Sequence, residues 1–386
     1  MPFEHLSFTH RWKLSDETNY KLGQCHALIS ALSLVPLPIR IKRELKQVAF
    51  VKGAQATAAI EGNTLTESEV KAIMDGKHLG ESSAYQEQEI RNILKAMRQI
   101  ARNTISKQQN KPISLELLQY FHAMIGEDLA DARFKATPGQ FAQSQRVVVG
   151  TNYRCPPPGN GPNQSEWLTK KLCQWVREGF NSPSKTQAFH TGILKAIVTH
   201  VYIEWIHPFD DGNGRTGRLV EFYLLLCAGV PVECAHLLTN HYNDTRPEYY
   251  AHIKHCQDSD DLTSFIAYAV TGFHDGLRHM WETAIADHLR APAWREQVHF
   301  VLSALKLHKP TFERCKTLLL SMDHNESYDI VSIQRASPEI ARAYARLDIS
   351  ALKRDIRNLV KHELLTEDAH SKKVRTNIRP LYSQKL

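Results

Sequence analysis

Three features are missing from this 386-residue chain, and each absence removes a class of protein. Its seven cysteines, at 25, 155, 173, 227, 234, 256 and 315, form no CxxC pair and no framework spacing. An odd, scattered set excludes a disulfide scaffold and reads as reduced thiols. The longest apolar stretch, LVEFYLLLCA at 219–228, falls well short of the roughly 20 residues a membrane span needs. The amino terminus MPFEHLSFTHRW carries no apolar signal core. No membrane contact and a cytoplasmic location are therefore expected. Repeats and low-complexity tracts are lacking as well. What remains, with 42% apolar residues, is a globular chain long enough for two or three domains.

The net charge of +7 is unevenly spread. From Val331 to Leu386 twelve Lys and Arg face six Asp and Glu, so nearly all the surplus sits at the carboxyl end. That asymmetry marks a separate module. Helical spacing prevails over the first 290 residues, which predicts a mainly α fold. Residues 193–206 and 216–228 read as buried central helices, the second stopping at Gly229 with Pro231 beyond. QRVVV at 145–149 is the best strand candidate in that half, and GTNYRCPPPGNGPN at 150–163 is a loop, predicting a short hairpin followed by an extended connection. A linker is expected around Arg290-Ala291-Pro292. The expected division is 1–110, an N-terminal helical region, 111–290, a core domain, and 291–386, a C-terminal domain. Within the last, Ser337 and Asp348 read as helix caps. Lys353, Arg354, Arg357 and Lys361 lie off the apolar face of 349–362, and Val374 and Ile378 suit a wing. The order resembles a winged helix, with DNA contact and a plain solvated basic face as the two readings.

The densest chemistry is HPFDDGNGRTGR, 207–218. An EF-hand loop from Asp211 would place Thr216 where glycine is required and Phe222 where the bidentate Glu belongs. A P-loop needs Lys-Ser/Thr where Arg218-Leu219 stand. The only short-spaced His/Cys cluster, His252, His255 and Cys256, reads better as a solvated helix face than as zinc ligands. What survives is a helix amino terminus built to hold an anion. Gly212 and Gly214 let backbone N–H groups converge where the helix dipole is positive. Arg215 and Arg218, three apart, bring guanidinium forks suited to phosphate, and two of them imply more than one phosphate. Asp211 beside them fits a Mg²⁺ that bridges phosphates, and Asp210 is expected to face solvent. His207 is the candidate general base.

This segment resembles, at every fixed position, the signature H-x-F-x-[D/E]-G-N-G-R-x-x-R of Fic-domain proteins. The resemblance implies a helical Fic-type bundle with a β-hairpin flap, and transfer of AMP from ATP to a Tyr, Thr or Ser hydroxyl of a target protein. His207 would take the hydroxyl proton and Asp211 would hold Mg²⁺. Gly212, Asn213 and Gly214 would form the anion hole, and Arg215 and Arg218 would bind phosphates. Upstream, TAAIEGN at 57–63 puts Glu61 at the negative end of a helix dipole, a mildly unfavourable place, with Gly62 as cap and Thr66 opening a capping box for the next helix. It resembles the family's inhibitory motif [S/T]-x-x-x-E-[G/N]. By that resemblance Glu61 pairs with Arg218 and blocks the γ-phosphate.

Residues 137–150 are similar to the flap, with Ala142 where arginine is common. Tyr249 and Tyr250 match a tyrosine pair near the nucleotide, while Gln257 stands where some members have asparagine, leaving UMP or GMP transfer open. Two further readings share these residues: removal of AMP with Glu61 positioning water, and a nucleotide-sensing DNA-binding regulator. Self-modification and a homodimer are the partner expectations.

Overall fold

The computed structural model describes residues 3, 5–35, 37–106, 110–129, 134–146, 153–180, 185–324 and 326–378. The chain divides into two units, 1–280 and 281–386. In the first unit the eleven α-helices described are α1 (Asp16–Leu34), α2 (Ile39–Ile60), α3 (Glu67–Met74), α4 (Ala84–Ala101), α5 (Leu115–Gly126), α6 (Ser165–Glu178), α7 (Lys185–Ile206), α8 (Asn213–Cys227), α9 (Leu237–Asp244), α10 (Arg246–Ser259) and α11 (Thr263–Met280). Helices α7 and α8 pack along each other at the centre, burying Ile193, Ile197, Val201, Leu219, Val220 and Leu225 completely or nearly so. The loop between them is where the signature lies.

Two local devices set the segment around Glu61. Glu61 closes α2 as its C-cap, and Gly62 follows with φ +97°, a conformation that glycine adopts without strain. Thr66 then starts α3 with a full capping box to Glu69. The expected flap hairpin is seen only in part: residues 137–146 carry no strand, 147–152 lie outside the described residues, and Cys155 N–H donates to Arg146 O at 3.1 Å across the connection.

No break occurs at Arg290-Ala291-Pro292. A π-helical turn at Trp281–Ile285 leads into α12 (Ala286–Ala304), which holds Pro292 inside it. A helix can run through a proline, which removes one hydrogen bond and crowds the carbonyl four residues back, so Pro292 lies within α12 instead of marking a linker. Beyond it come α13 (Lys309–Ser321), α14 (Ile330–Gln334), α15 (Pro338–Tyr344), α16 (Ile349–Lys361) and the antiparallel strands β1 (Leu365–Glu367) and β2 (Val374–Thr376). Ser337 accepts from Ile340 N–H and Asp348 from Ser350 N–H, as expected of caps. Tyr328 adds a bridge to Val374. This unit has its own core around Trp294, Leu318, Leu352 and Leu359.

A buried ion pair joins α13 to α16. Asp355, 4% exposed, accepts from Arg314 at 2.6 and 3.1 Å and from the Tyr344 hydroxyl at 3.1 Å. Arg314→Met strands that carboxylate and should destabilise the unit by about 3–5 kcal/mol. Adding Asp355→Leu should recover most of the loss in urea melts, and no recovery would rule out the stranded charge as the cause.

Candidate active site

His207 leaves α7 with φ +52°, a left-handed conformation that turns the chain sharply into the loop. Its Nδ1 lies 3.2 Å from Glu204 O. A carbonyl can only accept, so Nδ1 carries the proton and Nε2 keeps its lone pair. The loop is cross-braced by Asn213, whose amide accepts from Phe209 N–H and donates to Phe209 O, both at 2.8 Å. Phe209 is fully buried and stacks on His122 with centroids 3.9 Å apart. His122 in turn joins Asp211 O at 3.0 Å to Gly139 N–H at 2.9 Å. Asp210, expected in solvent, instead accepts from Gln143 N–H (2.9 Å), Ser144 N–H (3.1 Å) and the Ser144 hydroxyl (2.6 Å). It ties the segment entering the flap to the loop. The sequence showed the carboxylate but not the distant amides it serves.

Gly212 caps α8 with φ +75°, where a side chain would be strained. The amides of Asn213, Gly214 and Arg215 open the helix, and a Cβ on Gly214 would collide with Glu61 Oε1. The two signature arginines are buried and already paired. Arg215 meets Glu89 and, at 3.2 Å, Asp211 Oδ1, with its guanidinium 5.5 Å from the Phe134 ring. Arg218 Nη2 donates to Glu61 Oε1 at 2.6 Å and Thr57 O at 3.0 Å. Its side chain is 1% exposed, and that of Glu61 is 32% exposed. Burial works against the Glu61 charge, but Arg218 and Arg215 outweigh it and hold the carboxyl below its usual value. Burial also lowers His207, keeping it neutral near pH 7.

Several participants carry no motif. Arg246 donates to Ala59 O (3.0 Å) and Ile60 O, and the Tyr250 hydroxyl reaches Ile60 O at 3.3 Å, so α10 caps the end of α2. These donors compensate the carbonyls beside Glu61, which is how a carboxylate is tolerated there. Glu89 also accepts from Asn63 at 2.7 Å, linking the segment after Glu61 to Arg215. Tyr249 is 1% exposed, with its hydroxyl 2.9 Å from His200 Nε2, while Tyr250 is 46% exposed. Only Tyr250 of that pair stands at the surface. Cys256 sits against Ser264 and His252 against Tyr268; among the described residues no group of three or more His, Cys, Asp or Glu is arranged to hold a metal ion.

Burial sets the acid response of this unit. It lowers His5 and His122 to about 4 and His200 and His236 to about 3. It raises Glu204 to about 7 and Glu221 to about 8. The histidines, below their ordinary 6.5, contribute stability that is present above that pH and lost as pH falls towards 4. The two glutamates, above their ordinary 4.5, contribute stability present below it and lost as pH rises through 7 to 8. Stability should therefore peak near neutrality, and Glu221→Gln should flatten the alkaline fall. Urea midpoints from pH 5 to 9 check this; an unchanged alkaline limb in the variant would contradict it.

Comparison with known proteins agrees with the geometry. Residues 112–225 match the model of the Fic/DOC family. "Protein adenylyltransferase Fic" of Culex quinquefasciatus is 27% identical over 289 residues, covering 74% of this chain and 50% of that protein. "Protein adenylyltransferase fic-1" of Caenorhabditis briggsae is 27% identical over 230 residues, 59% of this chain and 40% of that one. The chain thus spans half or less of the length of these relatives. A Fic family protein from Desulfovibrio desulfuricans G20 shares the fold with a TM-score of 0.57 at 17% identity, over 97% of this chain and 100% of that one. A structure of residues 134–508 of Caenorhabditis elegans Fic-1 gives 0.52 at 22% identity, over 68% and 71%. No helix among the described residues is long and apolar enough to cross a membrane.

Proposed function

We propose that this chain, whose residues 112–225 match the model of the Fic/DOC family, transfers AMP from ATP to a side-chain hydroxyl of a target protein, and that Glu61 restrains the reaction. One observation carries the reading: a carboxylate from 157 residues upstream occupies the guanidinium edge of Arg218 beside the helix amino terminus. An anionic oxygen on that guanidinium, beside a helix amino terminus, supports the reading of a site that takes phosphate oxygens.

His207 Nε2 takes the proton as the target hydroxyl oxygen bonds to the α-phosphorus. The α–β bridging bond breaks and pyrophosphate departs. Arg215 and Arg218, with the amides of Gly214 and its neighbours, meet the charge spread over the triphosphate, so positioning and electrostatics supply most of the rate. Asp211, with its side chain 29% exposed, offers a hard oxygen donor beside the arginines. That suits Mg²⁺, which binds through one or two carboxylates plus phosphates, and the ion would neutralise phosphate charge there. Tyr250 is placed to flank the nucleotide once Glu61 has moved. Tyr249 supports the site from below through His200.

The test is labelling of the Glu61→Gly protein, alone and with cell extract, using [α-³²P]ATP and [γ-³²P]ATP with Mg²⁺. Protein label and an AMP-sized mass increment from the α-labelled nucleotide alone are expected. Label from the γ-position would mean phosphotransfer, and no label in either arm would remove the assignment. Parallel [α-³²P]UTP and GTP arms decide base preference.

A further inference from the structure

Beneath the anion site, the α7–α8 interface encloses acidic and basic groups that the reaction above leaves unused. Glu204 and His200 lie one turn apart on α7, and Gly217 of α8 faces both. A Cβ there would sit 3.1 Å from His200 Nδ1 and 3.4 Å from Glu204 Oε1, so only glycine leaves this space open. Four buried atoms in the cluster make no hydrogen bond among the described residues: the acceptors Glu204 Oε1 and Glu221 Oε2, the donor Arg218 Nε, and His200 Nδ1. Buried polar atoms are almost always satisfied, and an orphaned acceptor near an orphaned donor marks a bond available to a second arrangement. Among the described residues, the hydrogen bonds of Arg218 run through Nη2. Nε–H takes part in neither bond, so it can take a second carboxylate as partner while Nη2 holds an anion.

We propose that Glu204 is a positioning residue for Arg218, a second carboxylate that becomes the counter-ion of its Nε edge when Glu61 withdraws and keeps the Nη edge aimed at the triphosphate. The proposal rests on Glu61 being the brake, and adds what holds Arg218 after release. The surroundings of Glu204 favour the exchange. On α7 it has His200, with His207 just past the helix end; α8 brings Arg218 and Glu221, the cap of α2 brings Glu61, α10 brings Tyr249, and Cys155 lies within electrostatic range. Burial holds the carboxyl up at about 7; Arg218 pulls it down and Glu61 pushes it up. Withdrawing Glu61 removes the repulsion and leaves Arg218 as a buried, unbalanced cation. Both changes drive Glu204 to give up its proton to solvent and pair.

The experiment is a double-mutant cycle on Glu61→Gly and Glu204→Gln, read by melting temperature and by calorimetric ATP affinity with Mg²⁺ at pH 6, 7 and 8. Alone, E204Q should shift melting little. In the Glu61→Gly protein it should cost roughly 2–4 °C more and weaken ATP binding about tenfold. The pH dependence of ATP affinity seen in Glu61→Gly should flatten in the double variant, and Glu204→Asp should recover part of the affinity. A double variant that fails to fold while both singles fold is the same non-additivity, and Glu204→Asp then supplies the affinity measurement. Additive effects in both backgrounds would overturn the proposal, since a purely packing role costs the same with or without Glu61. AMP transfer absent from all four proteins, with the coupling intact, would sink the reaction assignment and leave this exchange standing.

Discussion

Replacing His207 with alanine in the Glu61→Gly protein should lower AMP transfer by about 10²–10⁴-fold, the span that a positioned base contributes, with ATP affinity nearly unchanged. The two quantities separate because the groups holding the nucleotide are elsewhere. Asn213 braces the loop through both sides of its amide without using His207, and Phe209 is anchored on His122. Gly212 opens α8 through its own backbone. The imidazole is held in one tautomer by Glu204 O and is kept neutral by burial, which suits proton acceptance near pH 7. Single-turnover labelling with calorimetry on the same protein checks both halves. A rate within tenfold of the parent would place the base elsewhere. A matching loss of ATP affinity would make His207 a binding group.

How much of this was legible in the chain depends on whether the partners are near in sequence. The helix ends at Glu61-Gly62 and Gly229, the caps at Thr66, Ser337 and Asp348, and the glycine at 212 follow from local backbone chemistry, and the structure has each of them. The pairing of Glu61 with Arg218 came from a resemblance, because nothing local links positions so far apart. Glu89, Arg246 and Glu204 carried no signal at all. Each is a charged residue on a helix, which in sequence reads as a solvated face, and only the packing of α4 and α7 on α8, and the reach of α10 to the end of α2, turns them inward. Asp210 failed for the same reason, since its partners are amides in another segment. Arg290-Ala291-Pro292 reads as a linker because of its proline, yet the helix-forming residues on both sides carry α12 through it.

Glu61→Gly should raise AMP transfer at least about tenfold, the lower range of a coupling between two occupants of one site. For a phosphate to reach the Nη2 edge of Arg218, the carboxylate must leave a 2.6 Å bond to a guanidinium that is only 1% exposed. That pair lies largely beyond solvent screening, so added salt should release the brake weakly. Nor should mild acid release it. The carboxyl sits below its ordinary 4.5, so the pairing is fully present above that value and is lost only as pH falls through the lowered one. Wild-type protein should therefore stay restrained from pH 6 to 9. Glu61→Gln, which keeps the shape and removes the charge, should fall between wild type and Glu61→Gly, because an amide oxygen still accepts from Arg218 but without the ionic attraction. Initial rates of label incorporation across that pH range distinguish the cases. If the glutamine variant matches wild type, bulk rather than charge blocks the phosphate. If Glu61→Gly is no faster than wild type, Arg218 is not the point of restraint.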